Sequence, residues 1–136
     1  MGTWSVEPFG NDDAVDWADE LDELNDPNLI QEAIDAVLAV GDEYLEAPDA
    51  AVAVAAIDVL ARMCGNFGER NAYTETVDAW VERLDVAPDR KTIDKALRAL
   101  DRILAEESEL KELWEESGEF DQWKASMLAL RNRVMR

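Results

Sequence analysis

Histidine is absent from the 136-residue chain, and cysteine occurs once, as Cys64. Without imidazole there is no Ser-His-Asp or Cys-His catalysis, no imidazole metal ligand and no histidine pH switch. One thiol excludes an intrachain disulfide framework and any CxxC site. Lying at the end of the apolar segment 59–64, Cys64 reads as a small core hydrophobe rather than a reactive thiol. Basic residues are missing altogether before Arg62. Residues 1–61 hold 16 acids and no base, a net of −16, whereas residues 62–136 hold 16 acids and 13 bases, a net of −3. This lopsided polyanion, −19 in all, argues against binding nucleic acid or an anionic membrane through basic patches. It favours a cationic partner or a cation-rich solvent. Long apolar runs are absent as well: the longest uncharged one, Ala50–Ile57, is broken by Asp58 and is far too short to span a bilayer. The start Met1-Gly2-Thr3-Trp4 has neither the basic nor the long apolar region of a secretory signal, and Val6 stands where myristoylation wants Ser or Thr. The expectation is a soluble, cytoplasmic protein.

What is present is apolar content, 48% of residues, enough for a sizeable core and unlike a disordered acidic tail. Apolar positions recur at three- and four-residue steps, and period-two alternation is not sustained. Asn11 is placed to cap a helix whose first turn carries Asp12 and Asp13, with Ala14, Trp17, Ala18, Leu21 and Leu24 as its apolar stripe. Asp26-Pro27 restarts the chain as N-cap and N1, and Gly41 is the stop. Tyr44 and Leu45, in the link 42–47, are expected to pack inward. A third helix over 48–64 is apolar on nearly every side, which places it at the centre of the bundle. Gly65-Asn66-Phe67-Gly68 reads as a turn between helices and lacks the GxxxxGK[ST] of a phosphate loop. Further helices are expected over 74–84, from Pro88-Asp89 to Leu104, from a Ser108 cap to Ser117-Gly118, and from Glu119 to the end. Their inward positions include Trp80, Leu100, Leu110, Leu113, Trp114, Phe120, Trp123, Met127, Leu128 and Val134. The expected architecture is an all-α, compact single-domain bundle of six to seven helices over residues 1–136, with 1–10 as an N-terminal arm. Short turns between successive helices are also compatible with stacked, solenoid-like pairs.

Dense carboxylates are the only constellation with chemical potential. Asp12, Asp16, Asp19, Glu20 and Glu23 fall at helical spacings, so several share one exposed face. Carboxylates hold Ca²⁺ or Mg²⁺, but no DxDxDG loop occurs, and Glu-x-x-His ligand pairs cannot exist here. A solvated face is the simpler reading, for these residues and for the acids around Glu106–Glu116. The tryptophans Trp17, Trp80, Trp114 and Trp123 fall in apolar stripes and read as core. Trp4 lies outside any helix, near Pro8 and Phe9, and reads as the anchor of a tied-down arm, with an exposed recognition arm as the alternative.

The opening Met1-Gly2-Thr3-Trp4, Pro8-Phe9 and Asn11-Asp12-Asp13-Ala14-Val15-Asp16-Trp17 resembles a bacterial family of small, acidic, helical proteins, domain-of-unknown-function family 4259. Its members typically begin MG-x-W-G-x-x-x-F-x-ND-x-A-x-D. Trp4, Phe9, Asn11, Asp12 and Asp16 match, while Ser5 replaces a usual Gly and Gly10 a common acidic residue. Tyr44–Pro48 and Leu113-Trp114-Glu115 are similar to later family features. The resemblance implies a helical fold and no established activity or catalytic residue. The motif residues also have a structural reading, with Asn11 and Asp12 starting a helix and Trp4 and Phe9 folding the arm over its first turns, close to a hydrophobic staple.

Three readings of function follow. The leading one is a non-enzymatic acidic binding module with no cofactor, an immunity- or antitoxin-type inhibitor contacting a basic protein through Asp12, Asp16, Asp19, Glu20 and Glu23. Nuclease active sites are cationic because their substrate is a polyanion, and a carboxylate-studded helix is steered to such a site. The second reading is a divalent-metal protein or enzyme built on the same carboxylates. In the third, acidity serves only solubility or salt adaptation, and the excess of Arg over Lys, nine to four, fits it. The concentration of acids before Arg62 favours a localised surface over that third cause.

Overall fold

The computed structural model describes residues 2–136; Met1 of the opening motif lies outside them. Seven helices form an all-α bundle: α1 (Asp12–Asp22), α2 (Asn28–Ala39), α3 (Ala47–Met63), α4 (Glu75–Leu84), α5 (Arg90–Leu104), α6 (Glu109–Ser117) and α7 (Phe120–Met135). Beyond two isolated bridges, Thr3 with Asn11 and Leu45 with Ser108, no extended pairing occurs among the described residues. No described helix is long and apolar enough to cross a membrane.

The caps follow the local chemistry. Asn11 Oδ1 accepts from the Ala14 N–H at 2.9 Å at the start of α1, and Asp89 does the same for Thr92 at 2.8 Å at the start of α5. The Thr92 hydroxyl and N–H hold the Asp89 carboxyl below the usual carboxylate range. Asp26 accepts from the Asn28 N–H at 2.9 Å, so Pro27 takes the cap position and α2 starts one residue later than the Asp-Pro pair predicts. α3 ends as a Schellman turn: Gly65, at φ +87°, donates to the Arg62 carbonyl and Asn66 to that of Ala61.

α3 is the axle of the bundle, packed against all six other helices. Its residues 53–62 are all buried, and six of the buried positions along the helix are alanine, which lets neighbouring helices approach closely. Consecutive helices pair as α2 with α3 and α6 with α7, while α4 lies on α1, and α5 on α2 and α7. One apolar core runs from Phe9 to Val134.

Several inward expectations are corrected. Leu45 is fully buried, but Tyr44 turns outward and its hydroxyl donates to Glu112 at 2.9 Å. Leu128 is exposed, and no α6 residue is fully buried: Leu110 and Trp114 are half-buried and Leu113 is exposed. A nine-residue helix at the edge of a bundle covers the core with only part of its stripe. Ser108 takes the α6 cap position, but its buried hydroxyl has no partner; Glu109 instead accepts from the Ala47 N–H at 2.7 Å, tying α6 to the start of α3. Cys64 is half-buried at the cap of α3, and burial pushes its thiol up.

The interior also holds charge. Asp58 and Arg62, only 1% and 2% exposed, pair along α3 at 3.0 Å. Arg62 reaches Asp78 of α4 at 2.8 Å and donates to the Glu69 carbonyl at 2.7 Å. Arg133 of α7 pairs with the second Asp58 oxygen and donates to the Asn66 carbonyl at 3.1 Å, while Asn66 Nδ2 returns a bond to the Arg133 carbonyl at 2.9 Å. Removing one member strands charge in a low-dielectric interior. Asp58→Ala is expected to lower the unfolding free energy by about 3–5 kcal/mol in urea titrations. Asp58→Ala with Arg133→Met, which removes the guanidinium left without a carboxylate, is expected to recover part of that loss.

Candidate functional site

The N-terminal arm does not trail from the bundle; it closes into a small loop. The Trp4 N–H donates to the Gly10 carbonyl at 2.8 Å and the Asp12 N–H to that of Gly2 at 2.6 Å. Inside the loop, Gly10 N–H bonds the Glu7 carbonyl at 2.9 Å, and Glu7 N–H bonds Ser5 Oγ at 3.1 Å. Phe9 is buried in the core and Val6 packs against it. Trp4 remains 45% exposed and leans on Tyr73 with ring centroids 5.1 Å apart. The anchor is therefore Phe9, and Trp4 is a half-open aromatic on the outside.

The closed arm separates two clefts. The larger, about 480 Å³, lies between the arm, the start of α3, and α6 and α7. Its walls are Val6, Pro48, Leu110, Leu113 and three indoles, Trp4, Trp114 and Trp123. Trp114 and Trp123 are stacked, 6.4 Å apart and 12° from parallel. The charged residues in its lining are Glu7, Asp13 and Glu119, with no Lys or Arg among them. The smaller cleft, about 200 Å³, lies on the other side of Trp4, Ser5 and Glu7, and reaches the buried Asp58 and Arg62 and the partly buried Arg133, as well as Glu69 and Asn71. In the loop after α3, the Arg70 guanidinium stacks 4.0 Å over the Phe67 ring.

Glu7 faces this second cleft from the arm. Burial, with Glu69 and Asp58 nearby, pushes its carboxyl above the ordinary value; the Ser126 hydroxyl at 3.5 Å and Arg133 offset this only in part.

The carboxylates of α1 occupy a different surface. Asp12, Asp16, Asp19 and Glu23 follow at steps of four, three and four residues. They form one stripe opposite the buried edge of Ala14, Trp17, Ala18 and Leu21, with Glu20 flanking it. All five are exposed, and none makes an ion pair among the described residues. Of the α1 acids only Asp22 is engaged, by Arg83 at 3.5 Å. No three carboxylate or thiol groups converge to hold a metal ion among the described residues. Of the motif residues, Trp4 and Asn11 line the larger cleft, Phe9 is core beside the smaller one, and Asp12 and Asp16 point away onto the stripe.

The clefts themselves escape a one-dimensional reading, because Glu7, Trp114, Glu119 and Trp123 meet only through the packing of α6 and α7 on the arm. One local signal for the buried charge exists: Asp58 interrupts the most apolar helix four residues before Arg62, the first base of the chain.

Two predictions test the arm. A Cβ at Gly10 would lie 2.1 Å from Ser5 Oγ and 2.8 Å from the Ser5 carbonyl, so Gly10→Ala is expected to cost about 1–3 kcal/mol in thermal or urea unfolding. The cost should shrink in a Ser5→Gly background, where only the carbonyl approach remains. For Glu7, the raised folded pKa means that protonation favours the fold and that this contribution is lost as pH rises through it. Glu7→Gln is expected to raise the melting temperature at pH 7. Its advantage should vanish on acidification below the ordinary glutamate value of about 4.3.

No curated protein and no solved structure matches the chain. The family model described as "Domain of unknown function (DUF4259)" matches residues 2–126; spanning the arm, α1 to α6 and the start of α7, that match places the chain in this family.

Proposed function

We propose that the protein is a non-enzymatic binding module that engages a basic protein through the outer face of α1, in the manner of an immunity- or antitoxin-type inhibitor. The observation that carries this reading is the α1 stripe, four carboxylates in line with Glu20 beside them, on a helix firmly capped and packed on its opposite edge. In most of the bundle the bases are matched to nearby acids: Lys95 with Asp35 at 2.5 Å, Arg131 with Asp101 at 3.2 Å, Arg90 with Asp94 at 3.2 Å. Arg102 is engaged by the carbonyls of Gly41, Glu43, Glu106 and Glu107. Arg83 comes to α1 but pairs at its side, with Asp22. A row of uncompensated carboxylates on a rigid helix raises the local concentration of a cationic surface and speeds its docking. A long-range field of this kind is screened by salt, so association should slow as ionic strength rises.

The test is a pull-down from the native cell at moderate salt with the wild type and with Asp16→Lys/Asp19→Lys/Glu23→Lys. These positions lie outside the first turn, and the wild-type helical signal should be retained. Recovery of a basic protein by the wild type, reduced about tenfold or more by the triple variant, is the expected result; equal recovery by both overturns the assignment of this face.

A further inference from the structure

We propose that the larger cleft beside the N-terminal arm is a binding site for a small organic cation, an ammonium group carried on an apolar body. The inference is independent of the protein partner, because it concerns a concave site and not the α1 stripe.

Three features of the cleft converge on this class of ligand. Its volume, about 480 Å³, lies in the range of small-molecule sites. Its walls are aromatic: Trp114, half-buried, stacks on the buried Trp123 at its floor, and Trp4 stands on the arm, leaning on Tyr73. Indole faces carry negative potential and attract a cation within about 6 Å of the ring. The charged residues of the lining, Glu7, Asp13 and Glu119, are all acids. An anion would meet the carboxylates of Asp13 and Glu119 and no base, and a neutral apolar molecule would leave them without a counter-charge.

The apolar body of the ligand is specified as firmly as its charge. No carboxylates converge on a metal position among the described residues, so a bare inorganic ion finds no ligand set here. Trp4 and Leu113, 45% and 51% exposed, leave apolar surface at the mouth that an alkyl or aryl group would cover. A second copy of this chain is the less favourable occupant, since it brings another −19 to a negatively charged rim.

The experiment titrates the full chain with benzyltrimethylammonium by isothermal calorimetry in about 150 mM NaCl, where loose attraction to the polyanion is screened. Benzyl alcohol serves as the neutral aromatic control. Saturable one-to-one binding, about tenfold tighter for the cation than for the alcohol, is expected. Asp13→Asn/Glu119→Gln, two exposed positions whose packing is unaltered, should weaken the cation about tenfold and leave the alcohol unchanged. Asp16→Lys/Asp19→Lys/Glu23→Lys should bind the probe within about twofold of the wild type, so failure of the partner reading leaves this one standing. Equal affinity for both probes, non-saturable uptake, indifference to Asp13→Asn/Glu119→Gln, or self-association that excludes the probe would each overturn the proposal.

Discussion

The bundle depends on one buried carboxylate. Asp58 sits in the middle of the central helix, where its neighbours are alanine, isoleucine and valine, and both of its oxygens are taken by guanidinium groups. Through Arg62 it is coupled to Asp78 on α4 and to the backbone at Glu69; through Arg133 it is coupled to α7 and to the backbone at Asn66. The loop 65–74 has little apolar content to hold it down, and this network fixes it from both sides. A wholly apolar α3 would tolerate several orientations of α4 and α7 around its alanine surface. A pair of planar guanidinium forks tolerates few, which is the usual structural gain from an arrangement whose net stabilisation is small. The same loop carries Tyr73 against Trp4, so the buried charges also determine where the arm can rest.

This arrangement alters the meaning of the charge asymmetry along the chain. Two of the late bases return to Asp58 in the interior, Arg83 returns to Asp22 and Lys95 to Asp35. The remaining acids of the first 61 residues make no ion pair among the described residues. Sequence halves are not spatial halves in general, yet here folding leaves most of the early negative charge uncompensated on the surface. Uniform salt adaptation does not by itself produce that segregation, which is one ground for the binding reading proposed above.

Helix boundaries were legible because their signals are local: a cap at Asn11 or Asp89, a stop at Gly41 or Gly65, and the all-round apolar pattern that sends α3 to the centre. Burial within a helix was less so. Leu113 and Leu128 satisfy an apolar stripe and still face solvent, because coverage depends on which helices lie opposite, and α6 is short and peripheral; Tyr44, in the link before α3, turns out as well. The α1 stripe follows from periodicity alone. The clefts do not: Glu7 and Glu119 lie more than a hundred residues apart, and nothing local to either announces the other. The exchange at Ser5 and Gly10 is intermediate. Read singly, each is a departure from the pattern of the family; in the fold the Ser5 hydroxyl stands where a Gly10 side chain would begin, so the two departures are one steric fact.

Under the two proposals, field and shape divide the work of recognition. A net charge of −19 draws every cation toward this molecule and discriminates poorly among them, because Coulombic attraction through solvent is long-ranged and undirected. Discrimination requires a place where charge and surface are matched at contact distance. The α1 stripe offers charge on a convex helix, suited to a broad, basic protein surface and indifferent to the ligand's apolar content. The arm cleft offers less charge but encloses it with indole, so a cation gains there only if it brings apolar surface to replace the water it displaces. The short closed loop of residues 2–12 stands at the junction of the two surfaces, since its last residues cap the helix that carries the stripe while Trp4 and Glu7 form one wall of the cleft.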